Sequence, residues 1–164
     1  MIISGLMVHR DGLRFETAPL SHGGETSVSG RLIQNLGECF LIRSIGVVLF
    51  ADADHLLPLG HPLWINSLFS FEVANRVIYD GPTHKFADPI THLALSPAEF
   101  EQLSPELRFQ FVGRLNFTLD MPYLLEAQTF VRAVLQPRCG LESMPKDGSV
   151  LVVLDGDQQR VMLA

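Results

Sequence analysis

Lysine is nearly missing from this chain. Only Lys85 and Lys146 occur among 164 residues, and the other ten basic residues are arginines, scattered singly. The net charge is −6 and no Lys/Arg cluster exists. That excludes a non-specific nucleic-acid binder, which needs a basic face to displace counterions. Cysteine is scarce too: Cys39 and Cys139 stand a hundred residues apart, with no Cys-x-x-Cys pair. A dense disulfide framework is excluded, a reducing compartment fits, and nothing supports a single bridge between the two. Tryptophan occurs once and tyrosine twice, against eleven phenylalanines. Such a set fills a core rather than stacking on bases. Long hydrophobic runs are absent; the longest, Ile45 to Ala51, is too short to span a bilayer. The N-terminus has no basic n-region and reaches His9 and Arg10 too soon for a signal peptide. A soluble cytoplasmic protein without membrane insertion is the expectation.

What is present reads as globular. Apolar residues make up 47% and charged residues 18%, a balance that suits one domain over 1–164 with a sizeable core. The chain reaches Ala164 with apolar residues still running. A natural domain end and the N-terminal fragment of a longer protein both fit.

Residues 1–80 read mostly as strands. Asp11-Gly12 between two short apolar runs is a hairpin signal. Pro19–Gly30 is small and polar, and reads as a mobile loop. Arg31 to Asp54 gives two or three strands, with Arg31 to Leu36 open to a helical reading. Pro62 to Gly81 gives two more, supplied with Trp64, Phe69, Phe71, Val73, Val77 and Tyr79 and turning near Asn75. Gln128 to Pro137 reads as a strand, and Val150 to Ala164 as a hairpin over Asp155-Gly156.

Between these strands lies a helical unit, about 97–127. Ser96 and Ser104 are N-cap candidates, Pro97 and Pro105 fit the first helical position, and Glu99 and Glu106 favour the first turns. Leu107, Phe111, Leu115 and Leu119 recur every four residues as a buried stripe, which Phe109, Val112 and Phe117 widen. Asp120 caps a third short piece, Pro122 to Ala127. Strands, a helical unit, then strands predict an α+β fold, a largely antiparallel sheet with the helical unit packed on a face.

No catalytic pattern emerges. His55 and His61 lie near Asp52 and Asp54, and His84 and His92 flank Asp80 and Asp88. Neither histidine spacing suits the converging ligands that zinc needs, so no metal and no cofactor are expected. Neither cysteine carries a nucleophile signature. Glu99 and Glu101 sit at a helix start, which stabilises their charged form. The glycines of Pro19–Gly30 lack the lysine of a phosphate loop. Phe109 and Phe117 exceed what one narrow helical face buries, and surplus apolar surface marks an interaction site.

The stretch Phe100–Glu126, with Leu103, Pro105, Glu106 and Leu107 at its helix start, resembles the N-terminal domain of the C-ring, or sorting-platform, protein family of bacterial type III secretion. In that family strands precede such a helix and strands follow it, and the family's dimerising C-terminal module is not visible in this chain. The resemblance implies a non-enzymatic scaffold or adaptor that binds secretion-platform components or export chaperones, and leaves an oligomer open. The alternatives are a small acidic secretion chaperone or other dimeric protein-binding module, and a small hydrolase using His55, His61, His84 or His92.

Overall fold

Alternating apolar residues build two antiparallel sheets. The computed structural model describes residues 3–53, 55–58, 60–86 and 116–163. In chain order the elements are β1 (Ile3–Arg14), β2 (Ala18–Pro19), β3 (Thr26–Arg31), β4 (Glu38–Phe50), α1 (Pro62–Asn66), β5 (Leu68–Val73), β6 (Arg76–Pro82), a 3-10 turn at Thr83–Phe86, β7 (Asn116–Glu126), β8 (Phe130–Gln136), a 3-10 turn at Leu141–Ser143 and β9 (Ser149–Leu163). The first sheet runs β1-β9-β4-β7, with β2 also on β9; the second runs β3-β8-β5-β6. One core holds both together. Ile45, Val47 and Leu49 of β4 and Val152 and Leu154 of β9 belong to the same buried cluster as Phe69 and Phe71 of β5 and Val131 and Leu135 of β8. Each such side chain stabilises the fold by roughly 1.5–3 kcal/mol relative to exposure. Phe15 meets Phe71 edge-to-face, with ring centroids 6.3 Å apart.

The phase of β4 explains its sequence. Phe40 and Ile42 point inward, and so do Ile45, Val47 and Leu49. The switch from even to odd numbers requires one extra residue, and the register against β9 slips between Ile42 and Ser44. Arg43 is therefore the residue left over in a β-bulge, with its side chain on the exposed side.

Several expectations need correction. The largely antiparallel sheet is present, but the described residues are β-rich and hold only the short helix α1 and two 3-10 turns. Most of the expected helical unit, 97–127, lies outside the described residues, including Leu107, Phe109, Phe111 and Leu115. Its last stretch is strand β7, not a helix from Pro122 to Ala127. Asp11-Gly12 and Asp155-Gly156 are not turns. Both lie within long strands and face each other, Asp11 opposite Gly156 and Gly12 opposite Asp155. Pro19–Gly30 contributes to β2 and β3, with Ser21 N–H donating to Thr26 Oγ1 at 2.8 Å. Arg31 ends β3 instead of opening a helix. Trp64 sits on α1, not on a strand, buried with its Nε1 donating to the Leu57 carbonyl at 3.1 Å. The β5–β6 turn does fall where Asn75 marks it: Ala74 and Asn75 have φ 48° and 65°, the left-handed pair of a type I′ hairpin.

Candidate functional site

The bulge at Arg43 organises both flanks of β4. On the β9 flank everything is closed. A Cβ on Gly156 would collide with the Leu41 carbonyl, so only glycine allows β9 to approach there. Arg43 Nε donates to Asp157 Oδ2 at 2.7 Å, and Ser44 Oγ donates to Asp155 Oδ2 at 3.4 Å. Next to them Arg160 pairs with Glu38 at 2.6 Å, and Gln158 Nε2 donates to the same carboxylate at 3.2 Å.

The β7 flank differs. Ile42 lies opposite Tyr123 and Ser44 opposite Thr118, so residues 119–122 of β7 form an excursion facing Arg43 alone. Pro122 within it has no N–H to donate. Among the described residues β7 pairs only with β4, and its other edge has no strand partner. Inward, Leu125 is buried and Leu119 and Tyr123 pack against the core. Outward, Met121 is 81% and Leu124 46% exposed. Asp120 and Glu126 are exposed as well, and no ion pair engages either of them among the described residues. Across the outer face, exposed Val8 lies opposite Gln159, Gln159 opposite Cys39, and Cys39 opposite Glu126. Burial pushes the Cys39 thiol above its ordinary pKa, and the Glu126 charge pushes it further.

Of the expected interaction residues, Phe117 lies on β7 opposite Ile45, and Phe109 lies outside the described residues. The structure thus brings Phe117 onto the same strand as Met121 and Leu124. Sequence reasoning missed the last two because they fell within a segment read as helical. Their signal was the even spacing of Leu119, Tyr123 and Leu125, which suits one face of a strand, interrupted at Met121-Pro122.

Two of the histidines serve the local structure. Nδ1 of His55 lies 2.7 Å from Asp52 Oδ1 in an exposed loop, and the backbone N–H of His55 donates to the same oxygen. His61 caps α1, its Nδ1 accepting from Leu63 N–H at 3.1 Å. His84 is exposed on a 3-10 turn, and His92 lies outside the described residues. Among the described residues no group of three or more His, Cys, Asp or Glu side chains could hold a metal ion. Both cysteines are unbridged, and burial raises the Cys139 thiol as well, the reverse of an activated nucleophile. A shallow groove of about 220 Å³ has Leu13, Ile33 and Phe40 as its floor and Glu38 and Gln158 in its wall. Its carboxylate is already held by Arg160 and Gln158. No helix among the described residues is long and apolar enough to cross a membrane, which says nothing of strands.

No family model matches the chain, and no curated protein matches it. Among solved structures it is similar to the dimeric latent PorU of Porphyromonas gingivalis, at 12% identity and a TM-score of 0.29 over 95% of this chain. The chain spans only 12% of that protein's length. A likeness at that level carries no argument about fold or function.

Proposed function

We propose that this chain is a non-enzymatic, protein-binding scaffold or adaptor that docks partners along β7. One observation carries the reading: β7, which pairs only with β4 among the described residues, exposes Met121 at 81% and Leu124 at 46%, three residues apart in sequence. Large apolar side chains grouped on an unpaired edge mark an interaction surface. Phe109, the other residue expected to bind protein, lies outside the described residues. The resemblance to the type III secretion C-ring family assigns the partners to secretion-platform proteins or export chaperones, and the setting to the cytoplasm.

The test is a pull-down from a bacterial cytoplasmic extract that contains such a secretion system. Tagged protein is compared with Met121→Ser/Leu124→Ser, Phe117→Ser and Phe109→Ser variants, each first shown to melt cooperatively. Recovery of platform or chaperone proteins, lost in the β7 double variant, supports the proposal. If every folded variant recovers the same partners, β7 is not the surface. If no protein is recovered and turnover of a small substrate is found instead, the adaptor reading is wrong.

A further inference from the structure

The β7 surface is not purely apolar, and its charges indicate what it accepts. Asp120 precedes Met121 in the excursion, and Glu126 follows Leu124 by two residues on the same outward side of the strand. Both carboxylates are exposed and neither is engaged in an ion pair among the described residues. The nearest candidate cation on β4, Arg43, is committed to Asp157 on the opposite flank at 2.5 Å. The field of Glu126 reaches its neighbour Cys39, where it adds to the effect of burial on the thiol. The strip therefore presents two apolar side chains between two carboxylates that no ion pair engages among the described residues.

We propose that the partner presents a basic, apolar segment to this strip, seating apolar side chains on Met121 and Leu124 and lysine or arginine side chains against Asp120 and Glu126. The inference rests on the protein-binding reading above and goes further by naming the chemistry of what binds. Charge complementarity selects this occupant over the others. A second copy of the chain, itself at −6, would bring Asp120 and Glu126 against a strip that already carries them. A nucleic acid would be repelled outright. Strand addition is disfavoured because the excursion at 119–122 and Pro122 break the edge into two short runs. The contact is therefore made by side chains. Complementary charges at the rim of such a contact govern association rate and salt dependence more than total affinity.

Fluorescence anisotropy with labelled peptides tests the charge requirement. The probes are a short peptide of alternating lysine and leucine and its counterpart with glutamate for lysine. The Lys/Leu peptide should bind and the Glu/Leu peptide should not. Asp120→Asn/Glu126→Gln should weaken the Lys/Leu peptide about fivefold or more at low salt and flatten its salt dependence. Glu142→Gln/Asp147→Asn removes the same charge beside the start of β9, away from β7, and should change binding less than about twofold, the effect of net charge alone. Equal losses in the two double variants overturn the proposal, because attraction is then global rather than local to β7. Under that outcome, Met121→Ser/Leu124→Ser decides the fate of the broader reading. If that variant still loses its extract partners, β7 remains the docking strip and only the basic partner is wrong. If it keeps them, both are wrong.

Discussion

The two flanks of β4 meet the same local irregularity and resolve it in opposite ways. Toward β9, the extra residue Arg43 is absorbed by a glycine without a Cβ, a salt bridge to Asp157 and a serine hydrogen bond to Asp155. Toward β7, it is met by a four-residue excursion, 119–122, that turns a methionine out to solvent. Among the described residues, the β9 flank continues into β1 while β7 has no further strand beside it. The same bulge is thus locked by polar partners on one flank and met by a looser backbone on the other.

The contrast can be broken most severely from the shared core. Phe40 is fully buried on β4 between both flanks. Phe40→Ala should cost about 3–5 kcal/mol in urea unfolding by creating a cavity; a loss under about 1 kcal/mol would mean the two sheets do not share this core. Gly156→Ala attacks only the closed flank. Its Cβ meets the Leu41 carbonyl and the Phe40 ring, so a loss of about 1–3 kcal/mol is expected from the same measurement. A neutral outcome would show that β9 does not approach β4 so closely. Arg43→Ala removes the salt bridge but leaves the bulge. The arginine side chain is 44% exposed, so screening should hold the loss below about 1 kcal/mol, and high salt should shrink it further. Met121→Ser should change the unfolding free energy by less than about 0.5 kcal/mol, because its side chain is 81% exposed. A large drop would place Met121 in the core instead of at a docking surface.

The smallest effect is chemical. Burial and then the Glu126 charge raise the Cys39 thiol. Glu126→Gln should lower it toward its ordinary value, so a thiol-specific reagent at mildly alkaline pH should react faster, since thiolate is the reactive form. Unchanged rates would separate Glu126 from Cys39. Because the folded thiol titrates above the unfolded one, its contribution to stability is fully present below the unfolded pKa. It is lost as pH rises through the folded value.

Strands with regular alternation were legible in the sequence. Phe69, Phe71 and Val73 on β5, and Val131, Ala133 and Leu135 on β8, repeat every second residue and are buried as that period requires. Asn75 marked its turn correctly because a type I′ hairpin needs positive φ. The two Asp-Gly pairs misled for a related reason. Glycine signals a turn by conformational freedom, but Gly156 is present for its missing side chain, which lets another backbone come close. One dipeptide thus carries two physical meanings, and only the tertiary neighbour tells them apart. The same holds for β7. Leu119 and Tyr123 fit a helix at four-residue spacing, while Leu119, Tyr123 and Leu125 also fit the even spacing of a strand, and the excursion at 119–122 coincides with a bulge on another strand. Phe117 was named from the sequence, but its place on β7 opposite Ile45 was not legible, because pairing is defined by which strand lies next to it.

The place of β9 has a consequence for how the chain folds. β9 is the strand against which β1, β2 and β4 all pair in the first sheet, so β1 and β4 gain their common neighbour only when residues 149–163 arrive. Each of these ladders joins partners separated by long stretches of chain, and the loop-closure entropy must be met before any pairing compensates it. Folding should therefore be slow and late. During synthesis β1 and the apolar β4 spend that interval without β9, exposed to association with other chains. β4 can meet β7 before β9 is made, whereas β1 finds no partner among the described strands until β9 is complete.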